Sequence, residues 1–117
     1  MSPKRPSRMA ARQRPRAAAP VFAALGDKTR LSLVAKLSGG QPRSISELTH
    51  GTRLTRQAIA KHLRVLEQAG LVRSAQAGRE NRFQLDPAPI ESMKQYLDSV
   101  SKQWDQTLAR LKAFVEE

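Results

Sequence analysis

The segment from Ile45 to Ala69 constrains the fold of this chain more than any other part of its sequence. A short apolar stretch is followed by a tight turn and then by a longer stretch in which Ile59, Leu63 and Leu66 recur at i, i+4 and i+7. That spacing places the three side chains on one face of a helix. The sequence therefore predicts two helices joined by a tight turn, the second of which buries this stripe.

Polar residues are predicted to bound both helices. Ser46 is the expected N-cap of the short helix, with Glu47 in its first turn, where the helix dipole favours an anion. Thr55 is the expected cap of the longer helix, and Gly70 is well suited to end it. Arg53 lies in the turn between the helices, where a positive φ would cost about 1 kcal/mol of strain.

The exposed face of the longer helix carries the groups that read DNA, which makes the pair a candidate helix-turn-helix. Arg56 can bind O6 and N7 of guanine as a fork, and Gln57 can pair with N6 and N7 of adenine. Lys61 and Arg64 can reach bases or phosphates, and Ala60 lets the helix approach the groove closely. The alternative is an ordinary amphipathic helix with a solvated charged face.

Two short strands are predicted after this helix, Leu71–Gln76 and Asn81–Leu85, with Gly78 at the tip of a hairpin that would form a wing. Arg79 and Arg82 flank the tip, where arginines can enter the minor groove or bind a phosphate. A solvated turn is the alternative. The predicted DNA-binding residues of the chain are Arg53, Thr55, Arg56, Gln57, Ala60, Lys61, His62, Arg64, Arg79, Asn81 and Arg82.

Two further helices are predicted ahead of the helix-turn-helix. Ordered structure is expected to begin near Pro20, with Val21–Leu25 forming a short apolar helix that Gly26 ends. Asp27 is the predicted N-cap of the next helix, which ends at Gly39-Gly40. Its expected buried residues recur at helical spacing: Leu31, Val34, Ala35 and Leu37.

A heptad-like seam is predicted along a last helix that starts after the break at residues 86–89. Apolar residues recur there at positions 90, 93, 97, 100, 104, 108, 111 and 115, three and four residues apart. Tyr96, Trp104 and Phe114 could line a small-molecule pocket. Packing in a core or a dimer is favoured, because Trp104 falls on the seam.

The charge of the chain is large and unevenly distributed. Twenty-one Lys and Arg against ten Asp and Glu give a net charge of +11, which favours nucleic acid or an anionic membrane surface as a partner. Residues 1–20 carry six of the basic residues and no acidic one. Residues 1–19 are predicted to be a disordered basic arm, either a solvated tail or an arm that touches phosphates or a minor groove.

Several classes of function find no support in the sequence. The chain has no cysteine, which excludes a disulfide, a thiolate metal site and a thiol switch. His50 is interpreted as a surface or capping residue and His62 as a packing or phosphate-contacting residue, so no metal and no cofactor are predicted. No acid–base cluster, phosphate loop or nucleophile elbow indicates an enzyme. No apolar run approaches the ~18–20 residues of a membrane span, and no signal peptide is apparent, so a cytoplasmic location is expected.

These residues resemble a known family. Ala24–Leu31 resembles the signature of ArsR/SmtB-type repressors, and Leu54–Val72 matches the recognition segment of that family. Gly78–Glu80 and Leu85–Ile90 resemble its wing and the entry to its last helix. The similarity spans roughly residues 20–117 and looks closest to the metal-independent branch, which lacks the sensing cysteines.

The resemblance implies a mainly helical, winged helix-turn-helix homodimer with a small β-hairpin. Residues 20–86 would form the DNA-binding domain, and residues 87–117 a dimerisation helix of the same domain. The first and last helices would form the dimer interface, with these residues: Val21, Phe22, Leu25, Met93, Leu97, Val100, Trp104, Leu108 and Leu111. Cysteine pairs, or histidines and carboxylates on the last helix, often bind metals in this family, but neither set is present here.

The predicted function is sequence-specific repression of transcription, including at the promoter of the protein's own gene, by binding double-stranded DNA at an inverted-repeat operator. Two-fold symmetry would place the second helices in major grooves about 34 Å apart. The alternatives are an architectural protein that coats DNA without sequence preference and an interaction module that uses the last helix. Whether a small-molecule inducer exists is left open.

Overall fold

The computed structural model of the chain describes residues 18–116. Its elements in chain order are α1 (18–25), α2 (Lys28–Leu37), β1 (Arg43–Ser44), α3 (Ile45–Thr49), α4 (Arg56–Gln68), β2 (Val72–Ala77), β3 (Glu80–Leu85) and α5 (Ala88–Glu116). Residues 18 and 19, predicted to belong to the arm, lie in α1 instead, because Ala18 is buried in the core. The rest of the predicted arm lies outside the described residues.

Helix α2 begins as predicted and buries Leu37 as predicted, but its other buried residue is Leu33 and not Leu31. The carboxylate of Asp27 caps it by accepting a hydrogen bond of 3.0 Å from the backbone N–H of Arg30. Leu33 and Leu37 are the buried residues, whereas Leu31, predicted to be buried, is 53% exposed. Ala35 is exposed as well and Val34 is half-buried.

Both faces of α2 satisfy helical spacing, so periodicity alone does not choose between them. Arg30, Leu33 and Leu37 lie at i, i+3 and i+7 and therefore share one face. The guanidinium of Arg30 contacts His62 of α4, so this face is the one that packs against α4.

The predicted cap of α3 is wrong by two residues. Ser44, not Ser46, is the N-cap: its hydroxyl accepts from the backbone N–H of Glu47 at 3.2 Å. The carboxylate of Glu47 accepts in return from the backbone N–H of Ser44 at 2.8 Å. This reciprocal capping box requires the serine to stand three residues before the glutamate, a spacing that Ser44 has and Ser46 lacks.

The wing contains one more strand than predicted. The three strands pair antiparallel in the order β1-β3-β2. The predicted hairpin is confirmed, with Ala77 opposite Glu80 and a two-residue turn between them. Gly78 takes φ +65° at the first turn position, which is typical of a type II′ hairpin turn. Strand β1 was missed because two residues are too short to show alternation.

One core joins the helices to the base of the wing. The predicted stripe of α4 is confirmed: Ile59, Leu63 and Leu66 are at most 1% exposed. The remaining buried members of the core are Val21, Ala24, Leu33, Leu37, Leu48, Leu71, Val72 and Phe83. Val21, predicted for the dimer interface, packs in the core of its own chain.

Helix α5 contacts this core only through its first turns. The carboxylate of Asp86 accepts from the backbone N–H of Ala88 at 3.1 Å where the helix starts. Met93 packs against the core, and the ring of Tyr96 meets that of Phe22 edge-on, with centroids 6.3 Å apart. Every residue from 101 to 116 is exposed, so about half of the helix extends beyond the rest of the chain.

Two capping carboxylates predict loss of stability in acid. The backbone N–H of Arg30 lowers the pKa of Asp27, and that of Ser44 lowers the pKa of Glu47, in each case against a smaller opposing effect of desolvation. A carboxyl with a lower pKa in the folded state stabilises the fold above its unfolded pKa. That contribution is lost as the pH falls through the folded pKa, so the free energy of unfolding should decrease below about pH 4.

Denaturant unfolding at a series of pH values measures this loss. The double variant Asp27→Asn/Glu47→Gln should be less stable than the parent near neutral pH and should lose less stability in acid. Asp105→Asn, which changes an exposed carboxylate of α5, is the control and should leave the pH profile unchanged. A double variant with the parent's pH profile would contradict the assignment.

Candidate nucleic-acid interface

The turn between α3 and α4 is built by Gly51 and by threonine hydroxyls. Gly51 takes φ +80°, and within residues 18–116 no residue other than glycine has a positive φ. The strain considered for Arg53 is therefore not present. The hydroxyl of Thr52 donates to the carbonyl of Thr49 at 2.7 Å and accepts from the backbone N–H of Leu54 at 3.2 Å. This turn holds the start of α4 at a defined angle to α3.

Thr55 caps α4 as predicted, because its hydroxyl accepts from the backbone N–H of Ala58 at 3.0 Å. Since the hydroxyl is held by the backbone, its first role is to start the helix. Its side chain nevertheless borders the exposed face of α4.

The exposed face of α4 brings together most of the predicted base-reading residues. Arg56, Gln57, Lys61 and Arg64 are exposed, and Ala60 is half-buried. A shallow depression of about 480 Å³ lies on this face, lined by Thr55, Gln57, Ala58, Ala60, Lys61 and Arg64. The small side chains of this lining leave room for another surface to approach the helix.

The positive charges of this face are not neutralised by the rest of the described chain. Within residues 18–116, none of Arg56, Lys61 and Arg64 forms an ion pair. Arg53, in the turn before them, is likewise exposed and without an ion pair there. An exposed, uncompensated set of donors is what a phosphate backbone attracts.

His62 does not belong to this face. Its Nδ1 lies 3.3 Å from Nη1 of Arg30 and 3.8 Å from a carboxylate oxygen of Asp27. Of the two roles predicted for it, packing and phosphate contact, the structure favours packing against α2. His50 is exposed and ends α3, with its backbone N–H donating to the carbonyl of Ser46 at 3.1 Å, so its predicted capping role is confirmed.

The polar residues of the wing differ in whether they already contact other side chains. Arg79, at the tip, and Asn81 are exposed. Arg82 donates to Glu80 at 3.2 Å and lies 3.9 Å from Glu47 of α3. The contact with Glu47 was not predicted, because nothing in the sequence indicates that β3 packs beside α3. The guanidinium of Arg82 thus contacts two carboxylates, whereas that of Arg79 forms no ion pair within residues 18–116. Of these two arginines, Arg79 is the more available to another molecule.

A further contact missed by the sequence ties the wing to α4. The hydroxyl of Ser74 in β2 donates to the carboxylate of Glu67 at 3.0 Å. The only signal for it was the polar character of both residues, which does not distinguish a contact from two solvated side chains.

Residues 18–116 contain neither a cluster of metal-binding side chains nor a membrane-spanning helix. In the part of the chain that the structure describes, no three His, Cys, Asp or Glu side chains are placed to hold a metal ion. No helix among residues 18–116 is both long and apolar enough to cross a bilayer.

Comparison with known proteins gives consistent results. Residues 25–75 match a family model described as a helix-turn-helix domain. The chain is 39% identical over 79 residues to YuzN of Bacillus subtilis, an uncharacterized HTH-type transcriptional regulator, which covers 62% of this chain and 86% of that protein. It is 37% identical over 75 residues to the HTH-type transcriptional regulator Rv2034 of Mycobacterium tuberculosis, covering 64% of this chain and 69% of that one.

A solved structure extends the match to the fold. The ArsR-like transcriptional regulator from Rhodococcus sp. RHA1 superposes with a TM-score of 0.73 at 38% identity, covering 84% of this chain and 92% of that one. Because this likeness covers 84% of the chain, it is a likeness of the overall fold and not of a single helix.

Proposed function

Because this chain belongs to the ArsR family of helix-turn-helix transcriptional regulators, we propose that it is a homodimeric repressor of an inverted-repeat operator. Membership of the family establishes a DNA-binding transcriptional regulator and not an enzyme. The symmetry, the operator and the direction of regulation are the parts that we propose. A regulator of this kind is expected in the cytoplasm.

The exposed face of α4 is the observation that best supports this proposal, in which α4 is the recognition helix. Gln57 lies near the start of this helix, where such helices enter the major groove, and its amide offers the donor and acceptor that pair with adenine. Lys61 and Arg64 lie one and two turns further along the same face. Arg79 at the tip of the wing extends this basic surface toward an adjacent groove or phosphate.

The free half of α5 supports the homodimer. Along the seam, Leu97, Trp104, Leu108 and Leu111 remain between 47% and 60% exposed. Exposed apolar side chains in one continuous row mark an interaction site. Burying the exposed half of each leucine would contribute about 0.7–1.5 kcal/mol. A second copy presents the same row, so a two-fold axis beside α5 covers both at once.

The remaining residues of the proposed interface differ in how much they can contribute. Phe22 is 37% exposed beside the start of α5, whereas Leu25 and Met93 already pack partly against the core of their own chain. Val100 is half-buried on the seam. The interface is therefore expected to be centred on Leu97, Trp104 and Leu108 and to include Leu111, with α1 at its edge.

Repression then follows from occupancy of the operator. With two recognition helices about 34 Å apart, a dimer occupies two successive major grooves on one side of the duplex. A promoter covered in this way is closed to polymerase, and we include the promoter of the protein's own gene among the targets. An unidentified small-molecule inducer remains compatible with this scheme.

A binding titration tests the operator. Fragments selected from the genome by the protein and scrambled duplexes of equal length are compared at two salt concentrations. We expect the selected duplex to bind at least about 10³-fold more tightly at physiological salt. Equal affinities with a steep salt dependence would instead support the architectural alternative and would defeat the repressor.

Gln57→Ala tests base reading within the same titration. Loss of the amide should cost about 1–3 kcal/mol at one base position of the operator and little at the others. Gln68→Ala, at the far end of the same helix and beside α1, is the matched control and should leave the affinities unchanged. A uniform loss over all operator variants would mean that Gln57 does not read a base.

Trp104→Asp tests the dimer. A carboxylate at the centre of the proposed seam would lose its hydration on association, so sedimentation should show a monomer. Gln103→Asp introduces the same charge beside the seam, on an exposed position, and should sediment as the parent does. If Trp104→Asp remained a dimer, the assignment of α5 as the dimer helix would be wrong.

A further inference from the structure

Two hydrogen bonds hold α4 from opposite sides of its buried stripe. On one side, Nη1 of Arg30 lies 3.3 Å from Nδ1 of His62. On the other, the hydroxyl of Ser74 donates to Glu67 at 3.0 Å. His62 and Glu67 are five residues apart, which at 3.6 residues per turn places them about 140° apart around the helix. The stripe of Ile59, Leu63 and Leu66 runs between them.

Close packing of the buried stripe opposes large rotations of α4, but it defines small rotations less sharply than a directional hydrogen bond does. The three side chains of the stripe are aliphatic, and apolar burial depends on area and not on direction. A hydrogen bond loses strength steeply when its angle departs from linear, so the two polar contacts resist a rotation that the stripe tolerates. One contact on each flank opposes rotation in both senses.

A small rotation is enough to disturb base reading. A turn of about 20° moves a group about 5–6 Å from the helix axis by about 2 Å. Hydrogen bonds to base edges form within a range of about 0.5 Å. The amide of Gln57 and the guanidinium of Arg64 would therefore miss their partners well before the helix left the core.

We propose that the contacts at His62 and Glu67 are positioning contacts, which set the rotation at which the exposed face of α4 meets the bases. The inference rests on the proposed function, because it concerns selectivity between DNA sequences. Neither residue needs to touch DNA for this role. The contact at His62 is half-buried and the one at Glu67 is exposed, so His62 has the larger effect.

The same guanidinium extends the contact to the first helix. Nε of Arg30 donates to the carbonyl of Ala24, near the end of α1, at 2.6 Å. Helix α1 in turn meets α5 through Phe22 and Tyr96. Arg30 thus joins the recognition helix to the two helices that the proposed dimer uses, and the rotation of α4 is set relative to them.

The chemistry of Arg30 also indicates which tautomer of a neutral His62 ring would form this hydrogen bond. A guanidinium has only donors, so the 3.3 Å contact requires an unprotonated Nδ1 that accepts. The neutral ring of His62 therefore carries its proton on Nε2. In that state Nδ1 has no proton to give to Asp27, and the 3.8 Å approach of the carboxylate is a secondary contact.

The ratio of operator affinity to scrambled-duplex affinity tests the positioning role. His62→Leu removes the acceptor and keeps an apolar side chain, so the ratio should fall about tenfold, as for the loss of one base contact. His62→Asn keeps an acceptor near the position of Nδ1 and should recover most of the ratio. His50→Leu, at an exposed histidine outside the contact, is the control and should leave the ratio unchanged.

A purely structural role would give a different result. It would lower the melting temperature and reduce the active fraction, which lowers both affinities equally and leaves their ratio at the parent value. Should His62→Leu fold poorly, Arg30→Lys provides the same comparison, because lysine cannot reach Ala24 and His62 together. A parent ratio in His62→Leu, or in Arg30→Lys with the fold intact, would overturn the proposal.

The double variant His62→Leu/Glu67→Ala tests whether the two contacts together set the rotation of α4. Glu67→Ala alone should lower the ratio less than His62→Leu does. With both contacts removed, the ratio should fall by more than the product of the single effects, because either contact alone still restrains the helix. A double variant equal to that product would contradict a shared rotation.

The protonation state of His62 is measured without DNA. Long-range proton–nitrogen NMR of the full chain should show Nδ1 unprotonated and Nε2 protonated in the neutral ring, and Arg30→Lys should change the Nδ1 resonance while that of His50 stays in place. A proton on Nδ1 would overturn the contact. If the parent protein bound operator and scrambled duplexes equally, the proposed function would fail, and this measurement would still decide whether the contact exists.

Discussion

Burial of one helix face, the stripe of Ile59, Leu63 and Leu66, is the constraint on which the rest of the structure depends. These side chains are almost completely removed from water, and the residues opposite them are consequently displayed. Leu48 of α3 and Leu33 of α2 complete the surface against which the stripe packs. The opposite face, which we propose meets DNA, is thus defined by the residues buried behind it.

Apolar burial selects the face, and polar contacts refine its orientation. Three sets of polar contacts are directional: the capping box of Ser44 and Glu47, the cap at Asp27 and the contact of His62 with Arg30. Each of them joins two elements or begins one. Their individual contributions are modest, since exposed hydrogen bonds and ion pairs add little to stability. Their value lies in geometry, which is what sequence-selective reading requires.

Sequence patterns predicted the parts of the molecule that depend on periodicity and failed where the outcome depends on long-range packing. The stripe of α4 and the hairpin at Gly78 were predictable, because one spacing or one glycine specifies each. Helix α2 has two faces of equal periodicity, so its burial of Leu33 in place of Leu31 depended on the position of α4.

The exposed face of α4 was predictable from the sequence to the same degree. Gln57, Lys61 and Arg64 lie on the exposed face where helical spacing placed them, and Arg56 is exposed at the first position of the helix. The contact of Arg82 with Glu47 was not predictable, since it joins β3 to α3, two elements whose contact has no local signature. The half of α5 beyond residue 100 is the complementary case: its seam is evident in the sequence, yet the single chain leaves it exposed.

The central claim is that two copies present two recognition helices to one duplex. Hydroxyl-radical footprinting of a selected operator tests it most directly, because the cleavage pattern records which backbone positions each subunit covers. We expect two symmetric protected segments on one side of the duplex, about 10 base pairs apart from centre to centre. A single protected segment, or protection that spreads evenly over any sequence, would contradict it.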